Sequence, residues 1–201
     1  MKTPAALSIA LLMAAPAFAG IVSTTGQITQ IPPPPLATQG PLYSLHAWTW
    51  NERTNISLSG MPIDMSTNPS HSSSPVSGNY TGLVDSHFVH FDSITLTTVT
   101  GSVSFSTPII GVQFRDHVLD LSDAPATTGT LYPTTFVERG WHDFSGSDFL
   151  DVNGSTLTFQ MTASRFPYFH QVRVFTVATP APGSLALLGL GGLAAIRRRK
   201  R

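Results

Sequence analysis

Cysteine is missing from all 201 residues, so no disulfide staples this chain and no thiolate can act as its nucleophile. Lysine occurs only at Lys2 and Lys200, and glutamate only at Glu52 and Glu138. Paired-carboxylate or activated-nucleophile hydrolysis therefore has little to draw on, and no Gly-x-Ser-x-Gly segment is present. There is no His-x-x-x-His pair of the kind a helix uses to hold a metal. Sustained helical periodicity with caps is absent outside the two ends of the chain.

What the ends carry reads as addresses. Lys2 is a short positive region and Ala5 to Ala15 an apolar stretch. Ala17-Phe18-Ala19 then fits the small-x-small pattern of a secretory cleavage site, which makes Gly20 the first residue after the cut. The secretion translocon and signal peptidase are the partners this segment predicts. At the other end, Pro180-Ala181-Pro182-Gly183 precedes an apolar run from Ser184 to Ile196 and the cations Arg197-Arg198-Arg199-Lys200-Arg201. From Gly183 to Ile196 is fourteen residues. As a helix that length spans roughly 21 Å, against a hydrocarbon core of about 30 Å. Gly189, Gly191 and Gly192 weaken the helix further. Such a run makes a marginal permanent anchor but an adequate stop-transfer tail for later removal, with transient membrane contact through 184–196 and the body outside.

The C-terminal layout resembles the PEP-CTERM sorting signal of bacterial surface proteins. The resemblance lies in Pro180, Pro182, Gly183, the run Leu185-Ala186-Leu187-Leu188-Gly189-Leu190 and the arginine cluster. Ala181 stands where that signal usually has Glu, giving a Pro-Ala-Pro variant. The resemblance implies processing by an exosortase, a membrane transpeptidase, and a link to exopolysaccharide or other cell-surface material.

The formal charge of zero hides an acidic body. Six of the eleven cations (Lys2, Arg197, Arg198, Arg199, Lys200, Arg201) lie in the two end signals, while all eleven acids lie between residues 20 and 179. With Arg53, Arg115, Arg139, Arg165 and Arg173 remaining, that stretch carries about −6 and no lysine. An acidic body excludes a nucleic-acid partner, which needs a basic footprint, and disfavours an anionic lipid surface. Its length suits one domain with a core large enough to forgo disulfides.

Residues 20–41 read as an extended lead-in, because Pro32-Pro33-Pro34-Pro35 cannot join a helix or a central strand. Beyond it, short strand-like runs alternate with breakers. They include Leu42–Trp50, Asn55–Leu58, Ser86–Asp92, Ile94–Thr100, Ser102–Ser106, Ile109–Phe114, Leu157–Met161 and Val172–Val177. Gly101 is expected to separate two of these, and Met61–Ser77, with Pro62, Pro69 and Pro75, to form a loop. The pattern predicts an all-β fold, an antiparallel sandwich or jelly roll over 42–178. A signal helix over 1–19 and an apolar helix within 179–201 are expected to flank it. The body also resembles a recurring PEP-CTERM precursor type of about 200 residues without assigned activity. That likeness rests on Trp50-Asn51-Glu52-Arg53, Ser86-His87 to Phe91-Asp92, Gly101-Ser102-Val103-Ser104-Phe105, Pro108-Ile109-Ile110-Gly111-Val112 and Gln171-Val172-Arg173-Val174.

Few residues offer chemistry. Strand alternation puts His90 beside Asp92, with His87 on the opposite face alongside Val89 and Phe91. His90, Asp92 and either Asp116 or His117 would suit zinc, and a histidine hydrogen-bonded within the sheet is the alternative. Asp116, Asp120 and Asp123 could bind calcium, the one cofactor the sequence suggests, or cap local turns. Trp48, Trp50 and Glu52 could line a sugar-binding face, or the tryptophans could belong to the core. Arg173 is expected to pair with one of the acids. These readings point to an exported, non-enzymatic surface or matrix protein, with a carbohydrate-binding module and a polysaccharide-acting enzyme as the alternatives.

Overall fold

A computed structural model describes residues 20–64, 77–127, 129–141, 146, 148–163 and 168–179. The secretory segment, the apolar C-terminal run and residues 65–76 lie outside them; residues 61–63, expected to begin a loop, are strand instead, paired through Pro62 to Asn79. Among the described residues the strands are β1 (Ile21–Gly26), β2 (Ile28–Gln30), β3 (Ala47–Asn51), β4 (Ile56–Ile63), β5 (Gly78–Phe91), β6 (Thr97–Phe105) and β7 (Ile109–Gln113). Helix α1 (Asp116–Ala126) and strands β8 (Phe149–Asn153), β9 (Thr156–Ala163) and β10 (His170–Val177) follow. One sheet has the order β1-β6-β9-β8; the other has the order β2-β3-β5-β10-β7, with β4 also paired to β5. The pairings are antiparallel except β2 with β3.

The two sheets face each other, as the all-β sandwich expectation requires. Val99, Val103 and Phe105 of β6 and Leu157, Phe159 and Met161 of β9 meet Val89, Phe91, Val172 and Val174 in one core. Outward positions of the smaller sheet carry hydroxyls that pair across strands, Thr98 with Thr162 at 2.9 Å and Ser104 with Thr156 at 3.0 Å. The larger sheet is buried on both faces. Its second face is covered by a third layer of α1, β4 and the segments flanking them. There Phe175, Val84, Ile56 and Ile63 form one cluster, and Trp50, Phe88 and Leu119 another. Burial on both sides explains why β10 is sealed from His170 to Thr176, polar residues included.

Three elements depart from the sequence reading. Residues 20–41 are extended, but β1 and β2 belong to the two sheets, so the folded unit begins at Gly20 rather than at 42. The chain changes sheets at Gly26, whose φ of 79° and whose approach to Thr100 O admit no side chain. Gly101 does not break β6: a Cβ there would lie 3.0 Å from the Phe159 ring, so the glycine makes room within a continuous strand. Arg115–Asp123, read as polar turns, mostly forms α1. Its inward face carries Ser122 and Asp123 beside Val118, Leu119 and Ala126, so the apolar period that would announce a helix is broken.

Candidate functional site

The densest chemistry lies between β10 and the third layer. Arg173 projects from the middle of β10 and is fully buried. Its Nε and Nη2 donate to Glu52 Oε2 and Oε1 at 2.8 and 2.9 Å, a two-pronged carboxylate grip. Nη1 donates to Asp123 Oδ1 and Leu119 O, both at 3.2 Å, and to Ser122 Oγ. The guanidinium lies 4.8 Å from the centroids of both the Phe88 and Tyr132 rings. Burial works against its charge, but Glu52, then Tyr132 and Asp123, outweigh it and hold Arg173 above the usual arginine range.

Arg139 completes the cluster from the far side. Its Nη1 donates to Asp120 Oδ1 at 2.8 Å and Asp123 Oδ2 at 2.6 Å, and its Nη2 to Asp123 Oδ1 at 3.0 Å. Ser86 Oγ and the Tyr132 hydroxyl donate to Glu52, and Thr134 Oγ1 to Asp123 at 2.7 Å. Burial first, then the Glu52 charge, pushes the Tyr132 hydroxyl up, so it stays protonated as a donor. Three carboxylates and two guanidiniums thus satisfy one another. Asp120 and Asp123, read as calcium ligands, already have arginine partners, and Asp116 Oδ1 accepts from Gly140 N at 2.5 Å.

His90 lies on the same face of the larger sheet as Arg173, paired with Gln171 two residues along β10, and is fully buried. Arg139 Nε donates to Gln171 Oε1 at 2.8 Å, which fixes that amide. Gln171 Nε2 then donates to Ala37 O at 2.6 Å and to His90 Nδ1 at 3.1 Å. Because Nδ1 accepts, the proton of the neutral ring is on Nε2. Burial, then Arg139 and His170, lowers the His90 pKa to about 3. Asp92 is also buried; its Oδ2 accepts from Gly40 N at 2.8 Å, and burial raises its pKa to about 6. His87 faces the inter-sheet core as alternation requires, its ring centroid 4.7 Å from that of Phe105. Its Nδ1 bonds Asn51 Oδ1 at 2.8 Å, and burial lowers its pKa to about 3. His117 is exposed on α1, away from the buried His90. Among the described residues no group of three His, Asp or Glu side chains is placed to hold a metal ion.

The tryptophans are placed as packing residues. Trp50 is fully buried, its ring centroid 5.0 Å from that of Phe88, and Trp141 meets Phe114 edge-on at 5.8 Å. Trp48 is half-buried and donates through Nε1 to Leu42 O at 3.0 Å. Glu52 is turned inward onto Arg173, so Trp50 and Glu52 offer no solvent-facing surface to a sugar. Beside them, Gln30, Ile31, Pro32, Pro33 and Asn51 line an open cleft of about 390 Å³.

Both predicted addresses border ordered chain. Gly20 is buried, donating to Ser106 Oγ at 3.1 Å and accepting from Ser106 N at 3.0 Å. Thr179 N donates to Asp85 Oδ2 at 3.0 Å, tying down the residue before Pro180. Ala17 and Ala19, and the signal residues from Pro180 to Arg199, lie outside the described residues. Residues 178–201 match the PEP-CTERM protein-sorting motif. No curated protein and no solved structure matches the chain. The motif marks an exported, cell-surface-directed protein that an exosortase processes. Among the described residues no helix is long and apolar enough to cross a membrane.

Proposed function

We propose that the sandwich is a non-enzymatic surface domain, held briefly by its tail, cut by an exosortase and delivered to the exopolysaccharide matrix. One observation carries this reading: among the described residues, the side chains that come together with most potential for chemistry are bonded to one another in the interior. Glu52, Asp123, Arg139 and Arg173 form a closed ion cluster, and His87 and His90 are neutral and buried. Catalysis requires titratable groups that reach a substrate. The net negative charge of the body and its lack of lysine suit a hydrated polymer environment better than a nucleic acid.

Mass spectrometry of the protein from its native host tests the processing step. A mature chain that starts at Gly20 and ends near Pro182, recovered with matrix polysaccharide, is the expected result. Recovery with Arg201 intact in surface material would overturn it. Hydrolysis or cleavage of host polysaccharide by the purified domain would overturn the non-enzymatic assignment instead.

A further inference from the structure

The two exits of the folded unit lie side by side. Gly20 pairs with Ser106, and the next residue, Thr107, donates through Oγ1 to Val177 O at 2.8 Å. Val177 N in turn donates to Pro108 O at 3.0 Å, and Ile109 N to Gly154 O at 2.9 Å. The short crossing 106–108 thus joins the start of the smaller sheet's first strand to the end of the larger sheet's central strand. These bonds place Gly20 and Val177 within roughly 15 Å of each other. Both segments that engage the membrane, the secretory segment and the sorting tail, therefore leave from one end of the sandwich.

In the segments bordering the exits, 53–57, 104–109, 153–156 and 178–179, the one charged side chain is the exposed cation Arg53. Asp85, the carboxylate bonded there, is buried and accepts from Asn55 N and Thr179 N. Among the described residues, the acids with partly exposed side chains, Asp116, Asp120, Glu138 and Asp151, lie outside these segments. An anionic membrane surface meets no exposed carboxylate in these segments to repel. The opposite end, where β10 begins, carries exposed Tyr43, Leu45, Ile94 and Leu96.

We infer that, before processing, the sandwich stands end-on, with the end around Gly20, Thr107–Pro108, Asn153–Gly154 and Thr179 against the lipid headgroups. The Ile94–Leu96 end points outward. This orientation rests on the sorting reading above and adds to it the surface that meets the membrane. It also accounts for the tight clamp on Thr179. With no spacer between the sheet and Pro180, the cut is made directly beneath the domain.

The natural absence of cysteine makes the test direct. Full-length chains carrying Asn153→Cys or Ile94→Cys, both exposed positions, are produced in a host lacking exosortase and labelled on intact membranes with a bulky, impermeant maleimide. Labelling of Asn153→Cys is expected to be several-fold slower than for the same protein in detergent, with Ile94→Cys unchanged. Equal labelling of the two in membrane-retained protein overturns the orientation while leaving the sorting reading intact. Protection of Asn153→Cys only when inactive exosortase is restored assigns this end to the enzyme and overturns the lipid contact. Loss of the full-length chain from the membrane fraction overturns both readings.

Discussion

Arg173 is the residue on which the third layer depends. Its guanidinium is sealed between two rings and bonds Glu52 and Asp123 at once, sharing Asp123 with Arg139. A buried pair of this kind adds little net stability over an apolar filling, but removing one partner strands a charge. Arg173→Met should therefore destabilise the domain by about 3–5 kcal/mol, a large share of a typical total. Adding Glu52→Gln should recover part of that loss, because the carboxylate left behind becomes neutral. Urea unfolding followed by the fluorescence of buried Trp50 and Trp141 measures both. If the two substitutions simply add, Glu52 and Arg173 do not act as one unit.

At the scale of elements, the contact between β4 and β7 depends on a missing side chain. A Cβ on Gly111 would lie 2.1 Å from Ile63 Cγ2, and Ile63 is fully buried and β-branched, with little freedom to turn aside. Gly111→Ala should cost about 1–3 kcal/mol through overpacking. Combined with Ile63→Ala it should cost clearly less than the sum of the two alone, as measured by denaturant midpoints. The same scale shows how far the sequence could be read. β6, β9 and β10 announce themselves because their alternation or apolar runs match the pleat. β8 is a short edge strand with only Leu150 buried, and α1 hides its period by turning Ser122 and Asp123 inward. Those polar residues face inward because Arg139 and Arg173 meet them there, from 16 and 50 positions along the chain. No local pattern encodes such a meeting, so Asp120 and Asp123 read as turn or calcium residues. His90 was legible as a hydrogen-bonded sheet histidine; its partner Gln171, 81 residues away, was not.

For the whole molecule, these buried groups set how stability responds to acid. His87 and His90 titrate near 3 when folded against 6.5 for a free histidine, so the unfolded chain binds more protons between those values. Their stabilising contribution is full above pH 6.5 and is lost as pH falls, by about 1.4 kcal/mol per unit for each. Asp92 works in the opposite sense. Its folded value of about 6 lies above its ordinary 3.8, so the folded state binds the extra proton and gains stability as pH drops from 6 towards 4. The histidines outnumber it, so the domain should lose stability steadily on acidification below pH 6.5, with the slope softened between 6 and 4. Asp92→Asn keeps an acceptor for Gly40 N but removes the titration. That variant should be more stable than the parent at pH 7 and should lose stability more steeply towards pH 4. Denaturant unfolding at half-unit pH steps reads both curves, and superimposable slopes would show that Asp92 does not titrate in this window.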